Sequence, residues 1–447
     1  MTTRSWFGPY VRPQARISVD AIHDLMHREL ADCGVRLDFP VLPQHPFVIP
    51  ETSYRELFRA GHGLLRLLRR AVLRSGTTRR SRMAALGAGD SAYPIFADDD
   101  FEERFCALMA RPDVVIGPDG PKFVEFNVSG TFGGPTESQV FTSVWHQVYG
   151  PREEAGFWGF DSFRARADAL LAARRELGAE PTLAVVGSRR DIPGAGSDRY
   201  FDLEVRYLRR RGLTADFFEP EDLLDGLGLP GRLRYALGLR YFNVVDWQNH
   251  GIDLAPVRTA VRAGWRLLPS QTSGMLANKK VLAWVSEGRP WMTETERDLA
   301  DRYLPWTREV RDTKTTWRGR VRALPELLLA HPENFVLKKS IGMMGLEVLL
   351  GPDTGERRWA DAVEDALASG DWIVQEYITP VRVPMVLSDG SEAGTRTEMV
   401  APVLSPCLFG TGSGGCLTRF FPDGSRGVVS VYGFGAMENV AVAGTGR

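Results

Sequence analysis

The chain has 447 residues, 55 basic and 56 acidic side chains, four cysteines and 43% apolar residues. Its length suits two or three domains of ~100–200 residues, and the near-zero net charge excludes the basic surplus of a dedicated nucleic-acid binder. No apolar run reaches the ~18 residues of a membrane span, the N-terminus lacks the apolar core of a secretory signal, and no two cysteines form a CxxC pair. A reducing cytoplasm is therefore expected.

In chain order, 18–35 and 52–75 have helical spacing; in the second, Leu64, Leu65, Leu68 and Val72 share one face. The cluster of Arg69, Arg70, Arg79, Arg80 and Arg82 reads as a solvated helix face ahead of an anion site. Residues 101–110 read as helix and 113–116 as a short strand. PDGPKFVEFNVSG then gives a turn, a strand and a glycine-bearing turn. From 182 to 250 strands alternate with helices, which predicts a doubly wound parallel unit. A helix at 255–264 and the strand RLLP lead out of it. KKVLAWVSE reads as a helix and NFVLKKSIGMMGLEVLLG as strand–loop–strand. DAVEDALASG is a helix, DWIVQEYITP a strand, and 401–445 a glycine-rich antiparallel finish.

One imbalance points to chemistry. Of the 55 basic residues 49 are Arg and six are Lys, and four of the lysines form the pairs Lys279/Lys280 and Lys338/Lys339. Arg is a planar fork and Lys a compact point charge, so a chain that uses Arg for generic positive charge keeps Lys where a point charge is needed. Lys338 ends a strand before a loop with Gly342 and Gly345, which reads equally as a hairpin with a flexible tip or as an arrangement that lets backbone N–H groups approach phosphate. Gln375 and Glu376 end a buried-type strand that alone reads as an ordinary strand with an exposed Glu ahead of a place where adenine and ribose can be met. Lys279 and Lys280 open a helix behind Asn278, read as its N-cap; a cation there opposes the helix dipole and calls for an anionic partner. Glu125 and Asn127, two apart on a strand, face the same way; alone they read as an exposed polar strand face ahead of a pair of hard oxygens suited to Mg²⁺ held mainly by nucleotide phosphates. The histidines show no metal-ligand spacing. His146 and His250 read as hydrogen-bonded structural residues ahead of general bases. GSRRDIPGAG (187–196) is not a GxGxxG fingerprint.

In this order, VEFNVSGTFGG, LLPSQTSGMLANKKVLAWVSE, FVLKKSIGMMGLEVLLG and IVQEYI resemble the ATP-grasp superfamily in its circularly permuted form. The likeness is to eukaryotic-type glutathione synthetases and glutathionylspermidine synthetase-like proteins, over roughly 115–440. It implies an α/β (α+β) fold: an ATP-grasp domain with an inserted doubly wound parallel substrate domain and a helix-rich N-terminal region. The expected parts are 1–110 helix-rich, 111–180 with the metal motif, 181–277 inserted, and 278–447 with the ATP site and glycine-rich lid. It further implies ATP and Mg²⁺ as cofactors, with metal ligation by Glu125 and Asn127. Phosphate contacts would come from Lys338 and from Lys279 or Lys280, a loop over the phosphates from Gly342 and Gly345, and the hinge from Gln375 and Glu376. Arg419 would lie near the transferred phosphoryl group, with Ser129, Gly130 and Thr131 beside the substrate carboxylate.

The chain departs from the family where an acidic metal ligand is replaced by Gly342, with Glu347 as the substitute or a site built without it. It also has Asn243 in place of a substrate-binding Arg, no early substrate Arg in YPIFADDDF, and no late Lys. These departures argue against γ-glutamylcysteine as substrate. The expectation is a carboxylate–amine ligase that releases ADP and phosphate through an acyl phosphate. Its partners would be small carboxylates and amines, without nucleic acid or membrane; the oligomeric state is open, a homodimer included. The rivals are a catalytically inactive nucleotide-binding or interaction protein, and a kinase or dehydrogenase built on 182–250.

Overall fold

The structure, a computed structural model, describes residues 6–8, 14–33, 39–89, 99–191, 199–342, 345, 347–425, 427–429 and 435–445. YPIFADDDF up to residue 98, residues 192–196 of GSRRDIPGAG, and Met343, Met344 and Leu346 of the glycine loop lie outside them.

The helix Glu51–Arg74 turns Leu57, Leu64, Leu65, Leu68 and Val72 inward. They meet Phe123, Leu404, Leu408 and Phe420 of a seven-stranded sheet in the largest core. Truncating one such leucine to alanine costs about 2–5 kcal/mol. The sheet runs in the order Phe47–Pro50, Met437–Gly444, Gly412–Phe420, Val403–Phe409, Met109–Gly117, Gly120–Asn127, with Phe157–Trp158 paired onto Met437–Gly444. From Met437–Gly444 to Gly120–Asn127 all pairings are antiparallel, as the glycine-rich finish predicts for the last three strands.

Two local expectations are corrected here. Of 101–110 only Asp100–Arg104 is helical, and the strand begins at Met109 because Met109 and Ala110 pair with Phe409 and Leu408. The arginine cluster is largely committed inside the fold. Arg69 donates to the Glu103 carbonyl at 3.0 Å, and Arg70 pairs with Glu296. Arg82 is buried, donating to the Gly76 carbonyl at 2.9 Å and to Glu103 at 2.6 Å.

Residues 182–268 carry a parallel four-stranded sheet in the order Thr214–Phe218, Thr182–Val186, Leu237–Arg240, Arg266–Leu268. Both faces are buried, which is why its strands read as continuous apolar runs rather than alternating ones. Leu183 and Val185 pack with Phe201 and Leu208 on one face, Ala184 and Val186 with Trp247 and Val257 on the other.

A third, antiparallel sheet orders Thr307–Glu309, Trp372–Glu376, Phe335–Lys339 and Val348–Leu350. Trp359 and Val363 of helix Glu356–Ser369 close its core. The hairpin Lys314–Trp317/Arg320–Ala323 stands beside it. Gly130 joins the first two sheets, since a Cβ there would fall 1.8 Å from the Arg240 carbonyl oxygen. Only glycine lets the loop after Asn127 approach the parallel sheet so closely.

Among the described residues no helix is long and apolar enough to cross a membrane.

Candidate functional site

A cavity of about 670 Å³ opens where the three sheets meet. The large sheet supplies Asp113, Glu125, Arg419 and Glu438, and the third sheet supplies Lys338 and Gln375. Tyr241 and Asn243 enter from the segment following Leu237–Arg240.

The register of the large sheet explains how its charges meet. Asp113 lies opposite Glu125, Arg111 opposite Asn127, and Arg419 opposite Glu438. Arg419 Nη2 donates to Asp113 Oδ1 at 2.7 Å and to Ser405 Oγ at 3.2 Å. Arg111 Nε lies 3.5 Å from the same Asp113 oxygen, and its Nη1 donates to the Gly133 carbonyl at 2.6 Å. Burial works to raise the Asp113 carboxyl, but the two arginines outweigh it and hold it at about 2.

Lys338 is buried, and its Nζ donates to Gln375 Oε1 at 2.8 Å and to the Val124 carbonyl at 3.0 Å. Burial lowers its pKa to about 8, with Glu125 pulling it up and Lys279 pushing it down. Lys279 Nζ stands 2.9 Å from Glu125 Oε1 and 3.2 Å from the Gly342 carbonyl oxygen. For Glu125 burial again opposes ionisation, yet Lys279 and Lys338 leave its carboxyl below the ordinary range.

The lysine pair divides. Neither is in the cavity wall: Lys279 turns onto Glu125 and the Gly342 carbonyl, whose residues are, while Lys280 is buried with its Nζ 4.0 Å from Glu309, because successive helical positions point ~100° apart. Asn278 is not the N-cap; Lys279 holds that position in helical conformation. The Asn278 Oδ1 does accept from the Lys280 N–H at 3.0 Å.

Glu125, Asn127, Thr131, Asn243, Lys338, Gly342, Gly345, Gln375, Glu376 and Arg419 all line the one cavity, whereas Ser129 and Gly130 do not. Ser129 Oγ instead accepts from the Thr131 N–H at 3.3 Å. Asn243 caps the helix Val244–Asn249 through the Val245 N–H at 2.9 Å. At the hinge, Glu376 Oε1 accepts from Arg318 Nη2 at 2.9 Å. Glu347 stands over Gly342, where a Cβ would come within 2.9 Å of its carboxylate, but it is not in the wall. His146 is away from the cavity, its Nδ1 3.0 Å from the Gly150 carbonyl; His250 lines it.

Among the described residues no group of three or more His, Cys, Asp or Glu could hold a metal. Asn127 Nδ2 donates to the Arg111 carbonyl at 3.1 Å, which leaves its amide oxygen for other partners. One carboxylate and one amide oxygen fit a Mg²⁺ that takes most of its ligands from phosphate and water.

The sequence reading missed Arg111, Asp113, Glu137 and Glu438. For Arg111 and Asp113 the readable signal was their spacing of two in one strand, the spacing already used for Glu125 and Asn127. Their meeting with Arg419, and the placing of Glu137 and Glu438, come only from packing between distant segments.

No family model and no curated protein matches the chain. Among solved structures, a glutathione synthetase-like effector from Globodera pallida superposes with a TM-score of 0.54 at 15% identity, over 95% of this chain and 96% of that one. A candidate gamma-glutamylcysteine synthetase from Methylobacillus flagellatus KT gives a TM-score of 0.38 at 12% identity, over 72% and 76%. The first likeness shows the fold alone, which is mixed α/β and ATP-grasp-like.

Proposed function

We propose that the chain is an ATP-dependent carboxylate–amine ligase acting on an amino acid or small peptide other than γ-glutamylcysteine. The observation that carries the reading is the convergence of Lys338, Glu125, Asn127 and Gln375 on one cavity from two sheets, with Lys279 at a helix start set behind the wall against Glu125. Three lysine- or acid-bearing motifs far apart in sequence thus meet in one place, an arrangement suited to a highly charged ligand.

In this mechanism a substrate carboxylate oxygen attacks the γ-phosphorus of ATP and ADP leaves. An amine then attacks the acyl phosphate carbon to form an amide and phosphate. Charge in the first step spreads over the phosphoryl oxygens, so fixed cations act by position and electrostatics. Lys338, held by Gln375 and the Val124 carbonyl, presents a point charge in a site that little water reaches. Lys279 would move its charge from Glu125 to a phosphate. Glu125 and Asn127 would hold Mg²⁺, which when bound neutralises phosphate charge. Arg419 is fixed on Asp113 and stabilises negative charge arriving beside it. The loop at Gly342 and Gly345 would cover the acyl phosphate against hydrolysis.

The test is an ADP-release screen over carboxylate and amine pairs, with mass detection of the coupled product. ADP and an amide together support the ligase. MgATP binding without turnover on any pair would instead favour an inactive nucleotide-binding protein.

A further inference from the structure

We propose that Glu438 is the group that receives the amine nucleophile and takes its proton, an assignment that rests on the ligase reading above. The second step of that reaction needs a base, because an amine carried as ammonium has no lone pair to attack with.

Most carboxylates of the cavity wall are committed. Asp113 is held by Arg419 and Arg111, Glu125 by Lys279, and Glu376 by Arg318. Glu137 accepts from the Gly134 N–H at 2.6 Å. Glu438 lines the same cavity, and among the described residues no hydrogen bond or ion pair engages its carboxylate.

Its position fits the role. Glu438 lies directly across the strand pair from Arg419, so the base stands next to the cation that marks where negative charge gathers. The groups that face it are Arg419 from the neighbouring strand, Arg111 from Met109–Gly117 and Glu137 from helix Pro135–Tyr149. The other strands paired with it, Phe47–Pro50 and Phe157–Trp158, carry no titratable side chain, and the face of helix Glu51–Arg74 on this sheet is apolar. Burial, reinforced by Glu137, pushes the carboxyl up to about 8, with Arg419 and Arg111 pulling the other way. A carboxylate of that basicity is matched to an ammonium far better than an ordinary one.

The step balances as follows. An N–H bond of the ammonium breaks and its proton passes to a Glu438 oxygen. The freed lone pair forms the C–N bond, and the acyl C–O bond breaks with its electrons leaving on phosphate. The second N–H proton passes from the new C–N nitrogen to the departing phosphate oxygen, leaving a neutral amide and hydrogen phosphate.

Hydroxylamine, uncharged at neutral pH, captures an acyl phosphate without a base, so it separates the two steps. With the acid and amine that give ADP release, Glu438→Gln is expected to lose amide formation by about 100-fold or more while still giving hydroxamate. Glu438→Asp, which keeps a carboxylate, recovers amide formation above the Gln level. Amide formation by Glu438→Gln at the wild-type rate overturns the assignment, as does an equal loss of amide and hydroxamate in a variant that still binds MgATP. A wild-type chain that gives neither ADP nor hydroxamate overturns the ligase reading itself.

Discussion

Lys279 Nζ lies 2.9 Å from Glu125 Oε1, so the cation read as a phosphate contact rests on the carboxylate read as a metal ligand. With Lys338 nearby, Glu125 is the anion that balances two buried cations. Glu125→Gln is expected to abolish turnover and also to lower stability, by about 1–3 kcal/mol once its partial exposure is discounted from the cost of breaking a buried pair. Thermal unfolding with and without MgATP checks this. The wild type gains stability from MgATP; the variant starts lower and gains little. A variant with unchanged turnover would end the metal assignment.

Lys338 makes nucleotide affinity depend on pH. Its pKa is lowered from 10.5 to about 8, so the folded chain gives up a proton there that the unfolded chain keeps to about 10.5. Below pH 8 the buried cation is a constant penalty to folding, relieved as pH rises through that window. Phosphate needs the charged form, so MgATP affinity is expected to fall above about pH 8. Titration calorimetry between pH 7 and 9.5 reads this, and Lys338→Met should bind weakly at every pH.

Arg318 is, among the described residues, the non-glycine residue with positive φ, at 47°. It occupies the tip of the hairpin Lys314–Trp317/Arg320–Ala323, followed by Gly319 at 76°, where asparagine or glycine costs less. Its guanidinium stacks 4.3 Å over Trp317 and pairs with Glu376. An exposed pair of this kind contributes at most ~1 kcal/mol. Arg318→Gly removes the backbone strain together with the pair, so little change in melting temperature is expected. If ribose competes with Arg318 for Glu376, ATP binds up to about fivefold more tightly in the variant. Equal or weaker binding would rule out that competition.

Lys122 stands three residues before Glu125 but serves the fold. Its Nζ donates to the carbonyls of Asp301, Arg302 and Leu304 at 3.0, 2.8 and 3.3 Å, the orphan acceptors at the end of helix Glu294–Tyr303. Lys122→Met is expected to cost about 1–3 kcal/mol in denaturant unfolding. MgATP affinity of the folded variant should match the wild type.

The sequence was most legible where a pattern is local. The parallel unit announced itself through buried strands alternating with helices, and the Lys338 hairpin through glycines between two apolar runs. Illegible were features made by register between distant strands. Asp113 reads as the first residue of a short strand until Met109–Gly117 pairs with Val403–Phe409, which brings Arg419 to it across ~300 residues of chain. Glu438 is likewise an ordinary polar residue before an apolar run until it lands opposite Arg419. The division of Lys279 from Lys280 needed the helix phase, because adjacent identical residues give no hint of which one reaches Glu125.

The scarcity of lysine also turns the site into its own reporter. Lys279, Lys280 and Lys338 are buried, and Lys122 is engaged by three carbonyls, which leaves Lys314 and Lys339 as the accessible side-chain amines among the described residues. An acylating reagent thus meets a protein with very few targets. One of the hidden ones, Lys338, is a far better nucleophile near pH 8 than a lysine titrating at 10.5. A small reagent that enters the cavity would mark that residue out of a nearly silent background, and the mark would fade in proportion to whatever anion occupies the place first.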